Sequence, residues 1–119
     1  MYEDFVKSMW YQKKGNKYGN IAREYGGRIY HSRREAEYAH ELDLLMKAKK
    51  IKAWIPQHKI SLDINGYHIA NYYVDFKVTM MDGSEEFHEV KGFETDTWKM
   101  KWKLCEALYG DQYNMVVIK

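Results

Sequence analysis

Residues 72–92 read YYVDFKVTMMDGSEEFHEVKG, two apolar β-runs joined by a short polar turn. An aspartate, Asp75, interrupts the first run, and a Glu-x-Lys triplet, Glu89-Val90-Lys91, closes the second. Carboxylates inside apolar strands are costly unless something binds them, because a buried charge needs a partner or a metal. Side chains alternate along a strand, so Glu89 and Lys91 share a face. Whether Asp75 joins them depends on the turn. A two-residue Asp82-Gly83 loop would set Asp75 opposite Val90, on the wrong side. An odd loop such as Asp82-Gly83-Ser84, with Gly83 left-handed, pairs Met81 with Glu85 and sets Asp75 opposite Lys91. The odd register is the one expected here.

In that register Asp75 and Glu89 form a pair of oxygen donors suited to Mg²⁺ or Mn²⁺. The Val90 carbonyl would be a third donor, and Lys91 would stand beside bound water. The competing reading is a cross-strand salt bridge between Lys91 and either acid, worth about 0–1 kcal/mol when exposed.

Outward from this stretch, Asn65-Gly66 signals a hairpin between residues 51–63 and 67–81, with Pro56 marking an edge position or a bulge. Ser32 to about Lys50 reads as a helix: Ser32 and Glu35 match the S-x-x-E capping box, and Glu35, Ala39, Leu42 and Met46 form a stripe expected to face the sheet. A second helix is expected from about Thr95 to Tyr109, with Trp98, Trp102, Cys105 and Tyr109 inward and Gly110 as its stop. Met115–Ile118 is a short last strand. Residues 23–31 suggest a small hairpin around Gly26-Gly27. Residues 1–22 read as a basic arm ahead of one domain over 23–119, and the element order is α-β-β-β-α-β.

Composition narrows the class. At 119 residues, with 45% hydrophobic and 16% aromatic content, the chain supports a single core. A lone Cys105 makes no internal disulfide, which suits a reducing cytoplasm. No run is long and apolar enough to span a membrane, no Walker loop or G-x-G-x-x-G indicates a nucleotide cofactor, and the five histidines lack zinc-ligand spacing. Net charge is only +2, yet residues 1–34 carry eight basic side chains against three acidic ones, a local +5. That asymmetry suits either phosphate contact or a solubilising tail.

D-(x13)-E-x-K across two strands, with a Glu-bearing helix before and a Lys-rich helix after, resembles the PD-(D/E)XK nuclease superfamily. S-R-R-E-A-E-Y, W-I-P-Q, Y-x-x-D-F and E-V-K-G-F-x-T are similar to small phage and prophage proteins of that superfamily, over about residues 17–118. Val74 stands where the superfamily label has proline. The resemblance implies a restriction-endonuclease-like α/β fold with a mixed sheet. It implies a Mg²⁺- or Mn²⁺-dependent DNA endonuclease that hydrolyses phosphodiesters with metal-activated water, as a homodimer and on branched, Holliday-junction-type DNA.

Residue by residue, the resemblance implies metal ligation by Asp75 and Glu89, to which the register reading adds the Val90 carbonyl, with Lys91 as the catalytic lysine and Glu35 as an additional acid. Glu35 is also explained by its capping box. Lys13, Lys14, Lys17, Arg33, Gln57 and Lys101 are the candidate DNA contacts. A non-catalytic nucleic-acid-binding or phage-assembly protein on the same fold is the alternative.

Overall fold

The structure is a computed structural model that describes residues 23–119. Lys13, Lys14, Lys17 and the proposed basic arm therefore lie outside the described residues. The described residues divide into two units, 23–52 and 53–119, and among them the fold is α/β, with a mixed four-stranded sheet and two helices.

In the first unit, β1 (Glu24–Tyr25) and β2 (Arg28–Ile29) form a two-stranded hairpin. Gly26 and Gly27 turn it with φ of 61° and 82°, the left-handed pair that a primed turn needs. Helix α1 (Arg33–Lys47) follows. Ser32 caps it, its hydroxyl accepting from the Glu35 N–H at 3.1 Å. Glu35, Ala39 and Leu42 of the expected stripe are buried, together with Tyr38 and Leu45, whereas Met46 is exposed: the buried face runs through Leu45 in the last turn. The hairpin is tied to α1 through the Tyr25 hydroxyl, which donates to Asp43, and through the Tyr25 ring against His40.

The second unit holds the sheet, in the order β3-β4-β5-β6. Strand β3 (Ile51–Ile64) turns through Asn65 and Gly66, with φ of 51° and 84°, into β4 (Tyr67–Met80). As an edge strand β3 tolerates Pro56, and Gln57 directly after it has a φ of +49°, a local break in the extended chain. Strand β5 (Glu85–Val90) runs antiparallel to β4. Helix α2 (Asp96–Tyr109), capped by the Thr95 hydroxyl on the Trp98 N–H at 3.1 Å, is the crossover that brings β6 (Asn114–Ile118) parallel to β5. Trp98, Trp102 and Cys105 on α2 join Tyr72, Val74 and Phe87 in one apolar cluster. On β4 Val74, Asp75 and Phe76 are consecutively buried.

The β4–β5 turn sets the register. The Gly83 N–H donates to the Met80 carbonyl at 3.0 Å, and the Met80 N–H to the Ser84 carbonyl at 2.8 Å. The loop is therefore Met81-Asp82-Gly83, closed by a left-handed Gly83 at φ +91°. The Asp82 carboxylate accepts from both the N–H and the hydroxyl of Ser84. The loop is odd, as the carboxylate pair requires, but it begins one residue earlier than the spacing suggested. The ladder runs Thr79↔Glu85 to Phe76↔His88 and stops there, in a register two residues away from the one that would pair Asp75 with Lys91, with Asp75 and Glu89 next along the two strands.

Candidate active site

Asp75 and Glu89 meet where the β4–β5 ladder stops. The Val90 N–H donates to Asp75 Oδ2 at 2.8 Å, and the Asp75 N–H donates to Glu89 Oε1 at 3.3 Å. Each acid therefore caps a main-chain donor of the facing strand, and the strands part with their polar groups satisfied. Both side chains are buried, at 7% and 4% exposure. A buried carboxylate with a second one beside it is harder to ionise. Burial first, and the Asp75 charge second, push the Glu89 carboxyl up to about 7.

Glu89 Oε1 takes a second bond. The Tyr72 hydroxyl donates to it at 2.7 Å, and the Trp98 indole N–H donates to that hydroxyl at 3.1 Å. An indole N–H can only donate, so the Tyr72 oxygen must accept and its proton must point at Glu89. Burial and the neighbouring Glu89 charge hold the Tyr72 phenol well above its ordinary value, so it stays a donor. With Oε1 committed as an acceptor, a proton on Glu89 belongs on Oε2. That oxygen lies 3.7 Å from the Lys91 ammonium, which also sits 5.1 Å from the centre of the Trp98 ring. Asp75 is arranged alike: Oδ2 is pinned by the main chain, while Oδ1 takes only a 3.4 Å contact from the Gln57 amide. Each acid thus has one oxygen anchored by strong donors and one with a single longer contact, to Gln57 for Asp75 and to Lys91 for Glu89.

The structure brings together Asp75, Glu89, Lys91 and Gln57 of the expected set, and it gives the Val90 N–H to Asp75. Glu35 belongs to the first unit, where its N–H completes the α1 cap and its carboxyl is buried at 5% exposure. Arg33 lies 3.5 Å from Glu37 one helical turn on. Lys101 reaches back to the Asn71 carbonyl at 3.5 Å, which ties it to β4. Among the described residues no group of three or more His, Cys, Asp or Glu side chains converges in metal-binding fashion. A cation at this pair would be held by the two carboxylates, with main-chain oxygen or water completing the shell.

Sequence reading missed the roles of Tyr72 and Trp98. Helical spacing assigns Trp98 to the core, and its packing agrees: it stacks on Trp102 at 5.6 Å. The signal that could have found the link is chemical, since a buried Tyr hydroxyl and indole N–H each need a partner. On the other face of β5, His88 is buried at 1% exposure and its Nε2 lies 2.8 Å from Glu86 Oε1, while the Asn114 amide donates to Glu86 Oε2 at 3.1 Å.

Fold and site together define a small α/β protein with a like-charged carboxylate pair and an adjacent lysine at the split end of two antiparallel strands. The chain belongs to the family described as "Protein of unknown function (DUF1064)", which matches residues 15–119. No curated protein and no solved structure matches it. Among the described residues no helix is long and apolar enough to cross a membrane.

Proposed function

We propose that this protein is a divalent-metal-dependent DNA endonuclease with a restriction-endonuclease-like, PD-(D/E)XK-type core. The observation that carries the reading is the Asp75–Glu89 pair, buried and facing, with Lys91 Nζ 3.7 Å from Glu89. The pair is poorly explained as a stability device, because burial first and the Asp75 charge second push the Glu89 carboxyl up to about 7. It fits a hard cation on donor chemistry: two neighbouring carboxylates, each anchored through one oxygen with the other held only by a longer contact.

Asp75 and Glu89 would hold Mg²⁺ or Mn²⁺, with the Val90 carbonyl a candidate third donor. When bound, the ion supplies charge that acidifies a water and offsets the developing charge on phosphate. Lys91 keeps its proton at Nζ and presents it to a phosphate oxygen or to the attacking water, steered by Glu89 Oε2 and the Trp98 ring. Gln57 steadies Asp75 through Oδ1. Glu35 is the candidate additional acid. Lys13, Lys14, Lys17, Arg33 and Lys101 are the candidate grip on the DNA backbone, whose affinity would fall steeply with salt. A homodimer acting on branched DNA in a reducing cytoplasm is the working form of the proposal. Cys105, buried and with its thiol pushed up to about 11 mainly by desolvation, suits such a compartment as an inert core residue.

The test is cleavage of linear duplex, single-stranded and four-way-junction DNA with Mg²⁺, Mn²⁺ or EDTA. Cutting is expected with metal only, and it should disappear in Asp75→Ala and Lys91→Ala. Activity unchanged in both variants overturns the reading.

A further inference from the structure

Trp98 meets Tyr72 and Lys91 by different parts of its ring. Its N–H ends a one-way chain, Trp98 to Tyr72 to Glu89, whose polarity is fixed because the indole has no acceptor. Its π-face lies 5.1 Å from the Lys91 ammonium. The indole is itself held from two sides. Thr95 caps the N–H of Trp98 and so fixes where α2 begins, and Trp102 stacks behind it. Trp102 also meets the Tyr72 ring edge-on, at 6.3 Å and 80°. The Tyr72 ring is thus oriented by one indole and its hydroxyl by the other.

We propose that Trp98, acting through Tyr72, is a positioning residue that aims the Glu89 carboxylate: it pins Oε1 so that Oε2 is presented to a divalent cation and to Lys91. This rests on the metal-binding reading above. Packing does not account for the arrangement. A core tryptophan at this point of α2 needs only its ring buried, and a phenylalanine would fill much of that space. The N–H fixes the direction of the Tyr72 hydroxyl, the shorter of the two bonds that hold Glu89 Oε1, the other being the 3.3 Å bond from the Asp75 N–H. Partners that orient a metal ligand typically change metal affinity or activity by about 10- to 100-fold. Tyr72, one bond from Glu89, should show the larger share.

The experiment uses the full chain and Mn²⁺ alone as probe, by calorimetric titration, with thermal unfolding of the same samples. Tyr72→Phe removes the hydroxyl, and Trp98→Phe removes the N–H while keeping an aromatic ring. Tyr72→Phe is expected to weaken Mn²⁺ binding about 10-fold or more. Trp98→Phe should weaken it by a smaller factor, and the double variant should bind no more weakly than Tyr72→Phe. That non-additivity is the mark of one residue acting through another. A merely structural role predicts lower melting temperatures with Mn²⁺ affinity unchanged, and that result overturns the proposal. So does a double variant whose losses multiply, since Trp98 would then act independently of Tyr72. If Trp98→Phe does not fold, Tyr72→Phe with unchanged affinity is sufficient to overturn it. A wild-type chain that binds no Mn²⁺, with Asp75→Asn behaving identically, overturns the metal reading and this inference together.

Discussion

Glu86 and Glu89 stand three residues apart on β5, on opposite faces, and meet opposite surroundings. Glu86 accepts from the Asn114 amide and pairs with His88; the His88 bond, above all, holds its carboxyl below the ordinary carboxylate range. Glu89 has Asp75 across the ladder, and burial together with that charge pushes it up to about 7. One glutamate is ionised comfortably, the other against resistance. An arrangement that costs stability persists at sites where strain or charge serves a purpose. The difference therefore separates a structural acid from a candidate ligand without appeal to sequence similarity.

The largest break between the two faces should be in activity. Asp75→Asn keeps the side-chain shape, and Lys91→Ala removes the ammonium. Each is expected to lower turnover on duplex or junction DNA by about 10³-fold, roughly 4 kcal/mol of barrier. Glu86→Gln should leave turnover within about threefold, because it removes no group from the Asp75 side of the sheet. Initial rates in Mg²⁺ decide it. Equal losses on both faces would show that the distinction between them is false.

The pH dependence of stability should differ in sign. The Glu89 pKa is raised in the folded chain from its ordinary 4.5 to about 7, so its favourable contribution is complete below 4.5 and is lost as pH rises through 7. In EDTA this costs about 3 kcal/mol across that window. Urea denaturation from pH 4.5 to 8 should show the decline, and Glu89→Gln should flatten it. Glu86 works the other way, since its pKa is lowered: its contribution is present above 4.5 and fades as pH falls through the depressed value. Glu86→Gln should therefore weaken the protein at neutral pH and change little in strong acid.

A bound cation should erase the penalty on one face only. At a Mn²⁺ concentration 100-fold above the dissociation constant, stability is expected to rise by about 2.7 kcal/mol at pH 8. The rise should vanish in Glu89→Gln and persist in Glu86→Gln. Thermal unfolding with and without EDTA measures it.

How much of this was legible in the sequence follows from which rules are local. Ser32 and Thr95 cap their helices, Asn65-Gly66 turns its hairpin and α2 ends at Gly110, each as local chemistry requires. The odd length of the β4–β5 loop was legible too. The register was not. Setting Gly83 in the middle of the loop paired Met81 with Glu85, whereas a turn of this kind places its left-handed residue last. With Gly83 last, the loop starts at Met81 and Asp75 moves from Lys91 to Glu89. The Tyr72–Trp98 link stayed hidden because apolar periodicity reports burial and says nothing of where a buried N–H points.

Gly83 supplies the smallest test, and it probes what holds the two faces apart. At φ +91° with open space around it, Gly83→Ala meets no clash and pays only backbone strain. The expected cost is about 1 kcal/mol in urea denaturation. Turnover should stay within about twofold, because the loop remains three residues long and the ladder from Thr79↔Glu85 to Phe76↔His88 still fixes the parity. A large loss of activity with a small loss of stability would mean that the register slips when the left-handed position is filled. Asp75 would then leave the face of Glu89, and the two acids would no longer share a site.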